Sequence, residues 1–478
     1  MMKKIIYIWT ILVASSILVS CQKELSDINK NPNAAENPQP DYLLTSVIKS
    51  AADNYWGSTA NYSASQLFIQ QWARIQYTDV DRYVFSNASF SSFWATVYAN
   101  NITDLNTIID LGEAQGNPNY AGVAHILRAW DFQLLTDAFG DVPYSQAGNI
   151  DQYPNPVYDK QQDVYHGILE ELDLALTTLT EGSAPISGDA IYKGNIGNWK
   201  KFANSLKLRI ALRISDREPE LSKQIVAQVL ASPAGLISNN AENAKVTYEA
   251  SPNWNPVAAI FSTRQDSRIS KTVVDRLYDL NDPRLPVYAE LPKDTTKYVG
   301  VPNGLTTGDA ANLGLSKTSR PGGYFTAAEA PAVILTYAEV LFLRAEAAAR
   351  GLSNEDAGDF YNKAIAASFN QYGIASQTVI NDYLAQSSVK YNPANYKRSI
   401  GDQKWIALFG QGLEAFAEWR RLDYPQLQPA AAGVLNGKIP VRFIYPGTEQ
   451  TLNSKSYQDA VNAQGTDNLL THLWFDRY

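Results

Sequence analysis

The sequence predicts a mainly α-helical fold with a loop-rich lobe that contains short strands. Three observations carry this. Apolar residues recur at three- and four-residue spacing through about 41–238 and 331–426, no alternating pattern competes there, and about 239–330 changes to Pro, Gly, Thr and Asn with isolated aromatics. From about 427 to 478 the chain reads as irregular again. One folded domain is therefore expected over 41–478, a helical scaffold with a loop-rich insert.

The elements follow in order. Lys3 and Lys4 precede an apolar run from Ile5 to Val19, and "LVSC" closes it at Cys21, the only cysteine. This is the pattern of a bacterial lipoprotein signal, with residues 1–20 removed and Cys21 lipidated. Residues 21–40, "CQKELSDINKNPNAAENPQP", are polar and proline-punctuated, as in a flexible tether. Asp41 is placed to cap a helix whose Leu43, Leu44, Val47, Ile48 and Ala51 share a face. A second helix is expected from Ala64 to Ile75. Trp94, Val97, Tyr98, Ile102, Leu105, Ile108 and Ile109 form the next stripe. After "GNPN", Val123, Ile126, Leu127, Trp130 and Leu134 repeat it until Gly140, with Pro143 just beyond. Further helices are read in "DVYHGILEELDLALTTL", "NWKKFANSLKLRIALRIS" and "PELSKQIVAQVLA", and a short strand-like run in "KIPVRFIYPG".

In "LTYAEVLFLRAEAAARGLSNEDAGDFYNKAIAAS", Ala345, Ala357, Tyr361 and Ala364 fall on the small and aromatic positions of a tetratricopeptide unit, which let paired helices approach closely. An ordinary helical hairpin accounts for the same alanines.

Charge and composition exclude several functions. The formal charge is −8, and loss of Lys3 and Lys4 with the signal takes it to −10, so a nucleic-acid footprint is missing. His125, His166 and His472 lack metal-ligand spacing, and no phosphate loop or cofactor motif is present. Glu414 and Glu418 in "GLEAFAEWRR" are the tempting carboxylate pair for a secreted helical glycoside hydrolase. One-turn spacing puts them on one helix face with Arg421, where ion pairing is the plainer account. Asp137 and Asp141 flank a helix end and read as turn residues.

Several longer motifs have a familiar order. "AHILRAWDFQLLTDAFGDVPYSQA", "VYDKQQDVYHGILEELDLAL", "LTYAEVLFLRAEAAARG", "GLEAFAEWRRLDYPQL" and "IPVRFIYPGTEQTLN", with "NPN" soon after Cys21, resemble the SusD/RagB-type outer-membrane lipoproteins of Bacteroidetes. The resemblance implies a scaffold of four tetratricopeptide-like units and a loop-rich lobe carrying the ligand site. It also implies a binding protein and not an enzyme, held at the outer membrane by lipid and facing the cell exterior. Such a protein captures an oligosaccharide or polysaccharide and delivers it to a SusC-like TonB-dependent transporter; a peptide is the alternative ligand.

Sugars present apolar C–H faces edged by hydroxyls, so aromatic platforms with polar rims suit them. "QYTDVDRYVF" groups Tyr77, Asp79, Arg82 and Tyr83; "SPNWNP" offers Trp254 and Asn255; "RPGGYF" offers Tyr324. "DNYWGST" adds Tyr55 and Trp56. For each ring the bland account is scaffold packing.

Overall fold

The computed structural model describes residues 38–477, so the expected signal, Cys21 and most of the 21–40 tether lie outside the described residues. Helices dominate, as the periodicity predicts. α1 (Pro40–Gly57) buries Leu44, Val47, Ile48 and Ala51. It starts one residue earlier than expected: Asp41 lies inside the first turn, Oδ1 accepting from Tyr42 N–H at 3.0 Å, and complements the helix dipole without capping it.

The helix expected from Ala64 to Ile75 does not form. A π-helical turn at Asn61–Ser65 and a single α turn at Gln66–Phe68 give way at Gln70, whose φ of 56° is left-handed, and Trp72–Arg74 becomes a strand. The described residues contain two antiparallel strand pairs: β1 (Trp72–Arg74) with β3 (Ser267–Ile269), and β2 (Ala244–Val246) with β4 (Ala332–Leu335). Ala73 faces Arg268, and Arg74 faces Ser267. A partner so far downstream leaves no mark on local spacing, which is why the helical pattern misleads.

The stripe from Trp94 is interrupted by a π-helix at Thr96–Ile102 before α2 (Thr103–Ala114). α3 (Pro118–Phe139) begins with Pro at its first turn and ends at Gly140, where φ is 90° and the N–H donates to Thr136 O at 2.9 Å. Every residue from Asn119 to Phe139 except Arg128 is buried. The expected stripe thus understates α3, which is central and packed between α2 and α4 (Gln161–Thr178). α5 (Ile196–Ile214) packs on α4 and on α6 (Pro219–Ala231). Asn195 caps α5 by accepting from Asn198 N–H at 3.0 Å.

Residues 239–330 carry shorter elements, among them α7 (Pro256–Thr263) and α8 (Lys271–Asp279). Beyond β4, α9 (Tyr337–Ala349) and α10 (Ala357–Gln371) form a packed pair with Ala345, Tyr361 and Ala364 buried at its contact; Ala357 is half-buried. α11 (Tyr396–Ala407) and α12 (Gly412–Leu422) follow, and the C-terminal part expected to be irregular carries two further helices, Gly447–Leu452 and Ser454–Gln464. The strand-like run "KIPVRFIYPG" forms no strand. Its N–H groups reach unrelated segments, Val441 to Leu469 O at 2.8 Å and Phe443 to Ala138 O at 2.9 Å, while Phe443 stacks on Phe90 at 4.1 Å.

Where α3, α5, α9, α11 and α12 converge the interior is ionic. Arg209 holds Glu339 at 2.7 Å; Arg213 holds Glu414 at 2.7 Å, Asp137 at 3.1 Å and also Glu418. Lys404 and Arg421 bind Glu418 at 2.7 and 2.6 Å, and Arg421 also pairs with Glu346. Glu414, Glu418 and Arg421 do share a face of α12, as their spacing predicts, but most of their partners come from other helices. Pairing of this kind offsets the cost of taking these charges out of water.

Candidate functional site

α7 gathers the candidate residues. Its N-terminus is set by Asn255, whose side chain accepts from Val257 and Ala258 N–H at 2.8 and 3.4 Å and donates to Ala330 O at 2.9 Å. Asn255 is fully buried, so it is a helix cap and not the ligand contact expected of it. Gly57 allows α7 to seat against α1: a Cβ there would lie 2.5 Å from the Pro256 Cβ. Just before the cap stands Trp254, 40% exposed.

At the other end of α7, the Arg264 guanidinium lies over the Tyr77 ring at 5.5 Å. Tyr77 is 72% exposed, and its φ of 53° is a conformation non-glycine residues rarely adopt. An α-helix of this length is about 12 Å long, and an open ring stands near each of its ends. Asp79 is exposed near Tyr77 and makes a loose pair with Arg82 at 3.6 Å. Arg82 itself turns to the C-terminal segment, Nε donating to Ala432 O at 3.0 Å.

Tyr83 departs from expectation. It is 1% exposed, packs edge-on against Phe68 and accepts from Ala430 N–H at 3.1 Å, so it anchors the C-terminal segment and presents no face to a ligand. Its left-handed φ of 70° closes the short helical turn at Val80–Arg82 and swings the ring inward. Tyr324, on a turn packed against α7, is half-buried with its edge to Tyr372 at 5.0 Å. Tyr55 and Trp56 are interior: Tyr55 meets Trp130 edge-on, and Trp56 Nε1 donates to Val333 O at 2.9 Å.

A groove of about 510 Å³ adjoins the start of α7, walled by Ser46, Ser50, Ser58, Ser92, Thr96 and Asn100, with Pro256 at its edge. Lys49 and Asp53 pair within it, and Tyr248 OH donates to Asp53 at 2.6 Å. Thr96 and Asn100 belong to a π-helical stretch, a distortion that recurs at functional sites. Below the groove, Ser50 Oγ donates to Asn101, and Asn101 Nδ2 donates to Asp131 at 2.9 Å. Burial raises Asp131 to about 7 despite that hydrogen bond. A hollow of similar size between α8 and α11, lined by buried Trp405 and half-buried Tyr424, is crossed by the Arg276–Asp402 ion pair.

Sequence reasoning missed the groove and a set of arginines beside α7, namely Arg74, Arg264, Arg268 and Arg320. The cluster "TRQDSR" was a readable signal; the groove, assembled from separate helices, had none. Among the described residues no group of His, Cys, Asp and Glu is arranged for a metal, and each histidine pairs with a carboxylate. No helix among them is long and apolar enough to cross a membrane. Burial would raise Glu414 and Glu418, but Arg209 and Arg213 lower the first, and Arg421, Lys404 and Arg213 hold the second well below the usual carboxylate range. Carboxylates so buried and ionised are unsuited to proton donation across a cleft.

The chain belongs to the SusD-like family: the family profile described as "Starch-binding associating with outer membrane" matches residues 32–446. No curated protein sequence matches it. Among solved structures it is similar to a chitin-binding protein, with 29% identity and a TM-score of 0.83 over 92% of this chain and 100% of that one. It is also similar to a SusD homologue from Bacteroides uniformis, at 29% identity and TM-score 0.81 over 91% and 100% of the two chains. A chitin-binding SusD homologue from Flavobacterium johnsoniae gives 26% and 0.81 over 91% and 98%.

Proposed function

We propose that this chain captures oligosaccharides at the cell surface and delivers them to a SusC-like TonB-dependent transporter of the outer membrane. The observation that carries the reading is the pair of open rings, Trp254 and Tyr77, at the two ends of α7, with Asp79 and a hydroxyl-rich groove as polar edges. A sugar's C–H face covers a ring while its hydroxyls meet the rim. The family's starch-binding description and the chitin-binding names of two relatives support a glycan as the ligand. The "LVSC" signal supports attachment through lipidated Cys21, with residues 21–40 as tether. Tetratricopeptide-like pairing of α9 with α10 supports a scaffold role for the helices.

The protein acts by binding and not by catalysis. Glu414 and Glu418, the pair that favoured a glycoside hydrolase, are committed to holding helices together. Calorimetry with chitin and starch oligosaccharides, paired with an assay for new reducing ends, tests the reading. Saturable binding without product is expected. Product that disappears on mutating a carboxylate pair overturns it, as does binding of peptides with no binding of any glycan.

A further inference from the structure

Two pairs of arginines flank the C-terminal end of α7, Arg74 with Arg264 and Arg268 with Arg320, in a chain whose formal charge is −8. Arg74 and Arg264 both bind Asp266 Oδ2, and Asp266 Oδ1 accepts from Tyr62 OH at 3.2 Å. That carboxylate is saturated. Arg268, 1% exposed, has only neutral partners: Nε donates to Thr318 Oγ1 at 3.0 Å, and the other nitrogens donate to the carbonyls of Gln265, Ser267 and Leu315 at 2.8, 2.8 and 3.2 Å. Arg320 lies over the Phe261 ring at 5.4 Å, and its buried Nε has no hydrogen-bond partner among the described residues. Neither Arg268 nor Arg320 has a carboxylate within ion-pair distance among those residues.

We propose that this arginine cluster recognises an anionic group, a carboxylate or a sulfate, on the captured glycan, so that acidic glycans are preferred to neutral ones. The inference rests on the glycan-capture reading and adds a ligand class to it. A buried cation without a counter-ion is costly, and a bound anion offsets that cost. Burial first, and then the charge of Arg320, lower Arg268 to about 10, as expected of positive charges crowded together, although Asp266 and exposed Glu290 oppose the effect. Guanidinium matches carboxylate and sulfate oxygens with parallel N–H donors. The cluster is reachable: the Arg264 side chain is 48% exposed and touches Tyr77, while Arg320 is half-buried. A sugar ring on Tyr77 would lie beside Arg264, and Arg320 flanks the same helix at Phe261. The chain's overall negative charge repels anions only weakly at this point, because charges beyond about 8 Å are screened at physiological ionic strength.

Calorimetry with oligogalacturonate, its methyl ester, a heparin-derived sulfated oligosaccharide and a chitin oligosaccharide tests the proposal. The expected result is at least tenfold tighter binding of oligogalacturonate than of its ester, or of the sulfated oligomer than of both neutral ones; which of the two occurs identifies carboxylate or sulfate. The preference should weaken with added salt, fall at least fivefold in Arg320→Gln, and be largely retained in Arg320→Lys. Binding of neutral oligomers with no gain from either anion overturns the proposal and leaves glycan capture standing. An anion preference that Arg320→Gln does not change overturns it as well. Failure of every glycan to bind removes both readings.

Discussion

Replacing Trp254 and Tyr77 by alanine, singly and together, is the sharpest test of the α7 platform. A large aromatic presents about 150–250 Å² for burial. Trp254 keeps 40% of its surface open and Tyr77 72%, but a sugar covers only one face of an exposed ring. Each therefore offers about 70–100 Å² to a ligand, or about 2 kcal/mol at 25 cal/mol per Å². Some of this is lost to ordering and polar desolvation, leaving about 1–2 kcal/mol per ring, a roughly 5- to 30-fold loss of affinity. Neither ring is core, so helical circular dichroism and melting cooperativity should be retained. Titration of chitin or starch oligosaccharides, whichever binds the parent protein, gives the reading. A folded double variant that binds as tightly as the parent would refute the platform and move the site elsewhere.

Tyr83→Ala should behave oppositely, costing about 3–5 kcal/mol in denaturant unfolding because a buried ring and the anchor of Ala430 are lost, while the remaining folded protein keeps its affinity. Glu418→Gln leaves Arg213, Lys404 and Arg421 short of a counter-ion and should cost about 3–5 kcal/mol at pH 7. Since Glu418 is held below its ordinary range, its stabilising effect is present above pH about 4.5 and lost as pH falls through the lowered value; melts of parent and variant should converge in acid. Asp131, raised to about 7, has the reverse dependence: its penalty is absent below pH about 4 and grows as pH rises to about 7. The ceiling is about 4 kcal/mol, so Asp131→Asn should stabilise the protein by about 1–3 kcal/mol at pH 8 and hardly at pH 4, and an equal effect at both would contradict the assignment.

The helical part was legible because its signals are local. Gly140, Pro118 and the alanines of α9 and α10 act within a few residues of where they stand, and the apolar spacing of α1 and α2 marks the faces that are buried. What escaped depended on distant chain. Trp72–Arg74 needed Ser267–Ile269 to become a strand, and the ionic interior needed five helices to meet before Glu418 could be seen as more than a surface ion pair.

The candidate site divides along the same line. "SPNWNP" exposes Trp254 because Pro and Asn end regular structure around it, and Asn255 with Pro256 is a cap followed by a first-turn proline, which is itself a readable helix start. α7 spans only about two turns, too short for apolar period to register. In "QYTDVDRYVF" the rings of Tyr77 and Tyr83 look equivalent in composition, yet both have positive φ, and the reversals send one outward to Arg264 and the other inward to Phe68. Backbone direction, invisible in residue type, separates platform from anchor. The arginines follow the same rule: Arg268 lies opposite Ala73 in the β1–β3 pair, and Arg320 arrives from a later turn, so the cluster exists only once the two strands have paired.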